Sequence, residues 1–117
     1  MSAAEIELEV LAPEALARRF LNSLRQGRLV DALETLSSDA TVSDGSSPDR
    51  HGLREITASL IPYRTPDRFV VERIEARGNT VIASVRVARG TGKKAGRYLA
   101  RIETHAGRIR TVHFRPA

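Results

Sequence analysis

Apolar residues recur at helical spacing in the first half of the chain and alternate in the second. Leu16, Phe20 and Leu24 stand four apart, with Ala17 and Leu21 beside them and Arg18, Arg19 and Arg25 elsewhere around the wheel. This spacing predicts an amphipathic helix. Pro13 suits its first turn, where a missing N–H costs nothing, and Gly27 is its stop signal after Gln26. Leu29, Leu33 and Leu36 mark a second, shorter helical stripe that Ser37-Ser38-Asp39 breaks. Ala40-Thr41-Val42 reads as a short strand, and Ser43 to Arg50, with Asp44-Gly45 and Ser46-Ser47-Pro48-Asp49, is the most loop-like segment. Leu53, Ile56 and Leu60 predict a third helix, closed by Pro62 because the residue before proline avoids the helical region.

Beyond Pro66 the period changes to two. Phe69 to Ala76 is rich in Val and Ile, and Arg77-Gly78-Asn79 is a turn signal. Between Thr80 and Ala88, Val81, Ala83, Val85 and Val87 share one face; Ile82, Ser84 and Arg86 share the other. Gly90 to Gly96 is a loop, and Arg97–Thr104 and Arg108–Phe114 are two further strands joined around Ala106-Gly107. The connections are too short for helical crossovers, so antiparallel hairpins are expected. Three helices followed by four strands imply an α+β domain, with the helices packed on one face of a curved antiparallel sheet. Residues 1–12 form an N-terminal arm in which Ile6, Leu8 and Val10 alternate with glutamates, and 13–117 form one domain without internal repeat.

Composition narrows the chemistry. The chain has 117 residues, 41% hydrophobic and 28% charged, which fits one globular domain. Cysteine and tryptophan are absent, excluding disulfides, thiolate metal sites and cysteine nucleophiles and leaving aliphatic side chains to fill the core. The acidic N-terminus lacks the apolar run of a secretory signal, and no stretch approaches the ~20 apolar residues of a membrane span; a cytoplasmic location with no membrane partner is the expectation. Net charge is +5, unevenly placed: residues 1–60 carry six arginines and ten acids, and residues 61–117 carry eleven arginines, two lysines and four acids. A basic sheet is a weak nucleic-acid footprint without a reading motif or stacking aromatics, and only Tyr98 and Phe114 fall within its last strands. Nucleic acid is therefore not the expected partner.

His51, His105 and His113 are scattered and form no H-x-x-x-H pair, so no metal site is expected. No G-x-S-x-G elbow surrounds any serine. Gly90-Thr91-Gly92-Lys93-Lys94 fails the phosphate-loop pattern, with Lys at position 94 and Val at position 87. No cofactor is implied.

The order of elements and several local motifs resemble the NTF2-like superfamily, in particular its SnoaL-like and ketosteroid-isomerase-like members. The resemblance rests on Ala17-Arg18-Arg19-Phe20-Leu21, Gly27-Arg28-Leu29-Val30-Asp31-Ala32-Leu33, Ser38-Asp39-Ala40-Thr41-Val42-Ser43-Asp44, His51-Gly52-Leu53-Arg54-Glu55-Ile56 and Ala106-Gly107-Arg108-Ile109. It implies a cone, in which a curved sheet wraps a helix layer around an apolar pocket, and a homodimer formed through the outer sheet face. It also implies a small apolar or aromatic ligand, with Asp44 as general base of a proton-transfer isomerase or cyclase. Asp44-Gly45 is also an ordinary turn pair, in which the Asp oxygen bonds a nearby backbone N–H. A first-helix tyrosine that donates to the oxyanion in the resembled enzymes is replaced here by Phe20, which has no donor. The second donor position matches Leu99 without a gap, or Tyr98 if the following turn is one residue longer. Tyr98 alone supplies a hydroxyl, and it alternates with Ala100 and Ile102 on an apolar face.

Phe20, Leu24, Leu60, Val112 and Phe114 are expected to line or underlie the pocket, and Tyr63 to cap its mouth or anchor the connecting loop. With Val112 and Phe114 inward, His113 falls on the outer face. The alternative is a non-catalytic NTF2-like binding or dimerisation module with a filled cone.

Overall fold

A computed structural model describes residues 12–43, 50–60, 69–87 and 96–117. Asp44 and Tyr63 lie outside the described residues, as does the side chain of Leu60. The elements run α1 (Pro13–Arg25), α2 (Leu29–Glu34), β1 (Leu36–Ser43), β2 (Arg50–His51), α3 (Leu53–Leu60), β3 (Phe69–Arg77), β4 (Thr80–Val87), β5 (Gly96–His105) and β6 (Arg108–Pro116). The six strands form one sheet in the order β2-β1-β6-β5-β4-β3. The α+β class and the layout of helices before strands agree with the sequence pattern.

α1 starts on Pro13, has Glu14 in its first turn and Arg25 in its last, and so matches the helix dipole at both ends. Its end is a Schellman motif. Arg28 N–H donates to Ser23 O at 2.8 Å and Gly27 N–H to Leu24 O at 3.1 Å, with Gly27 at φ 76°. The apolar stripe Leu16, Ala17, Phe20, Leu21 and Leu24 is buried against the sheet.

Two expectations need correction. The Leu29-Leu33-Leu36 stripe does not continue as helix: α2 ends at Glu34, Leu36 opens β1, and Ser37, Ser38 and Asp39 are strand residues. Thr35 makes the switch. Its Oγ1 donates to Ala32 O at 2.6 Å, and its own carbonyl accepts from Ile109 N–H at 2.8 Å, which tethers the chain to β6. Pairing with a neighbouring strand overrides a three-residue apolar spacing. The sheet is also mixed, because β1 runs parallel to β6 through Thr41↔Thr111, Val42↔Val112 and Ser43↔His113. The segment from β2 through α3 to β3 separates β1 from the meander, so β1 joins it beside the last strand.

β3 to β6 are the expected meander. The β5–β6 hairpin turns on two residues, Ala106 and Gly107, both at positive φ (51° and 78°). The β3–β4 turn is tied down by Asn79, whose carbonyl accepts from the N–H of buried Thr104 at 2.8 Å and from its hydroxyl at 3.3 Å. Register shifts at Glu72 in β3 and Arg110 in β6 are bulges, which bend the sheet around the helices. They explain why the core-facing residues there are three apart, Val71 with Ile74 and Ile109 with Val112.

Candidate functional site

Alternation divides the sheet into two chemically different faces. On the inner face Val81, Ala83, Val85 and Val87 of β4 and Tyr98, Ala100 and Ile102 of β5 are buried. Val112 and Phe114 of β6 join them, and the core also contains Phe20 and Leu24. Four sequence-predicted ligand positions, Phe20, Leu24, Val112 and Phe114, thus meet in one apolar layer, each no more than 1% exposed.

Tyr98 brings a hydroxyl to that layer. Its β5 position pairs with Val85 and with Pro116, and the side chain is 9% exposed. The register places it near one end of the sheet. β4 ends there at Val87 and β6 at Pro116, β3 begins there at Phe69 and β5 at Gly96, and β1 runs toward it as far as Ser43, which pairs with His113. Asp44 follows Ser43 in sequence and lies outside the described residues. The inner residues of β1 are Ala40 and Val42, both buried.

A separate apolar cleft of about 190 Å³ lies between α2, β1 and α3, lined by Leu33, Leu36, Ser37, Ser38, Gly52 and Ile56. Beside it Ser37 Oγ donates to Asp39 Oδ1 at 2.7 Å. That hydroxyl, with help from the local backbone and Arg110, holds the Asp39 carboxyl below its ordinary range. Sequence reasoning missed this cleft because it treated Ser37-Ser38-Asp39 as a break.

The outer face carries a second missed feature, a groove of about 410 Å³ lined by Thr80, Ile82, Leu99, Arg101, His113 and Arg115. His113 points outward, as its alternation with Val112 and Phe114 predicts, and its Nδ1 hydrogen-bonds Ser43 Oγ across the parallel β1–β6 pair. Arg101 pairs directly opposite His113, and Arg86 opposite Arg97. Two arginines here have carboxylate partners: Arg97 Nε reaches Glu72 at 3.2 Å, and Arg101 reaches Glu103 at 3.1 Å. Arg115 has none among the described residues. The signal was present in the outward set Thr80, Ile82, Leu99, Arg101, His113 and Arg115, but only the cross-strand register assembles it.

Among the described residues no group of three metal-ligating side chains comes together, and no helix is long and apolar enough to cross a membrane.

Comparison with known proteins follows the same architecture. A cystatin-fold protein from Novosphingobium aromaticivorans superposes with a TM-score of 0.73 at 13% identity, covering 89% of this chain and 97% of that one. A provisionally assigned ketosteroid isomerase from Kribbella flavida gives 0.73 at 19% identity, over 88% of this chain and 76% of its own. An LEH-like epoxide hydrolase of M. tuberculosis gives 0.69 at 19% identity, over 90% and 78%. At these identities the likeness establishes the fold alone. No curated protein matches the sequence. The SnoaL-like domain model does match, across residues 17–112, from the second turn of α1 to the inward-facing Val112 of β6. The chain therefore belongs to the SnoaL-like domain family and carries its NTF2-like fold.

Proposed function

We propose that this domain binds a small apolar or aromatic molecule between its helix layer and the inner sheet face, toward the sheet end to which β1 runs. It carries out proton-transfer chemistry there, as an isomerase or cyclase. Asp44 is the general base and Tyr98 the hydrogen-bond donor to the developing oxyanion. The observation that carries the reading is Tyr98, a hydroxyl set among buried aliphatic side chains near the sheet end to which β1 leads. A donor in a water-poor site stabilises an enolate far better than one in solvent. Two of the similar structures bear the names of enzymes, a ketosteroid isomerase and an epoxide hydrolase, which agrees with a site for a small molecule. Phe20 brings no hydroxyl, so enolate stabilisation rests on one donor side chain where the resembled isomerases use two.

The test is hydrogen–deuterium exchange at the carbon next to the carbonyl of a panel of apolar ketones, followed by NMR. Asp44→Asn is expected to slow exchange by roughly 10²–10⁴-fold, the range of general base catalysis. Tyr98→Phe is expected to slow it by up to about 10³-fold, the range for one oxyanion donor. Full exchange in the Asp44→Asn variant rejects the assignment.

The close packing of Phe20, Leu24, Val112 and Phe114 favours a second reading, a non-catalytic binding module. Ligand-induced shifts without any exchange would select it. Under either reading we propose that two copies pair through the outer sheet face, where, among the described residues, Val70 and Ile82 are exposed large apolar residues.

A further inference from the structure

The outer groove differs in kind from the inner sheet face. Its floor is apolar, Ile82 from β4 and Leu99 from β5, and its rim is cationic or polar, Arg101, His113, Arg115 and Thr80. Arg101 and His113 are a direct cross-strand pair, and Arg115 lies two residues along from His113 on the same face. Arg101 and Arg115 bring two positive charges to one rim, and a bound counter-charge relieves their repulsion. Glu103 meets part of that need at Arg101. Nothing among the described residues meets it at Arg115. Ser43 occupies Nδ1 of His113, so the ring's other nitrogen is the one available to the groove.

We propose that this groove is a binding site for an amphiphilic organic carboxylate. The carboxylate is gripped by Arg115 with Arg101 and His113, and the acyl or aromatic body lies on Ile82 and Leu99. Arginine's planar fork suits a carboxylate, which accepts two parallel hydrogen bonds from it. A volume of about 410 Å³ falls in the range of small-molecule sites. The apolar floor separates this ligand from a bare inorganic anion, which would leave Ile82 and Leu99 wet. Single-stranded nucleic acid needs stacking platforms, and the two aromatics of β5 and β6, Tyr98 and Phe114, both face inward. A second copy of the chain, met face to face, would set Arg101, His113 and Arg115 against their own counterparts. The bound carboxylate removes that conflict.

The experiment uses the full chain with labelled methyl groups at low ionic strength, titrated with sodium octanoate. Saturable shifts of the Ile82 and Leu99 methyls are expected, with those of Val81 and Ile102 on the opposite face unmoved. Arg115→Gln, an exposed substitution, should weaken binding at least fivefold while leaving the spectrum of the inner core intact, and Arg101→Gln should weaken it less. Inorganic phosphate and octan-1-ol are the controls, and each should bind at least fivefold more weakly than octanoate. The proposal is overturned if octanol binds as tightly as octanoate, or if Arg115→Gln leaves the affinity unchanged. It is equally overturned if the shifts appear only on the inner face.

Discussion

Asp39 is a residue whose chemistry depends on one neighbour. Ser37 Oγ donates to its carboxylate at 2.7 Å on the exposed stretch of β1, and this bond is the first cause of its lowered pKa. A carboxyl depressed in the folded state contributes stability above its ordinary range, lost as pH falls through the folded value. Asp39 is exposed, so the contribution to folding is small. The titration itself is the readout: the Asp39 carboxyl carbon should titrate below an ordinary aspartate, and Ser37→Ala should return it upward. An unchanged midpoint in the variant would assign the shift to the backbone and Arg110 instead. The inward position of Tyr98 and the outward position of His113 were legible in the sequence, because strand alternation fixes a side chain's face. The partnership of Ser43 with His113, 70 residues apart, was not, since it depends on which strand lies beside β1. Asp44 and Tyr63 were named from sequence and lie outside the described residues.

Elements were legible where period and punctuation agreed. α1 has an apolar stripe, Pro13 at its start and Gly27 at its end, and the structure begins and ends it there. The four meander strands likewise lie where alternation and turn residues placed them. The α2–β1 junction was not legible, because Leu33 and Leu36 serve one spacing whether the second is helical or extended. Only the bond from Ile109 N–H to Thr35 O decides for a strand. The end of α1 and the β5–β6 turn give opposite predictions for the same residue pair. Gly27 sits at φ 76°, where an L side chain is strained, so Gly27→Ala should destabilise the domain by about 1 kcal/mol. Ala106 sits at φ 51° in a two-residue turn whose type favours Asn or Gly. Ala106→Gly should therefore raise stability by about 0.5–1 kcal/mol, since relief of the left-handed strain outweighs the added freedom of the unfolded chain. Urea unfolding of both variants checks the pair. Equal destabilisation by the two would show that turn conformation is not what limits these sites.

At the scale of the molecule, the charge asymmetry acquires a location. The acid-rich first half supplies α1, α2, β1, β2 and α3, and the arginine-rich second half supplies β3 to β6. Because the inner face of those strands is apolar, their arginines are forced outward: Arg73, Arg77, Arg86, Arg97, Arg101 and Arg115 are all exposed. Three glutamates, Glu72, Glu75 and Glu103, offset only part of that charge. Two copies meeting on this face repel before their apolar patches touch, and interactions between exposed charges are screened within ~10 Å at 0.1 M salt. Association through the sheet should therefore strengthen as salt rises from about 50 to 500 mM, against the usual weakening of contacts held by opposite charges. Octanoate at low salt should have the same effect, by neutralising Arg115 from within the groove. Sedimentation equilibrium across the salt series reads the dissociation constant directly. A dimer that weakens with salt would mean that complementary charges, not exposed apolar residues such as Val70, hold the two copies together, and would move the interface off this face.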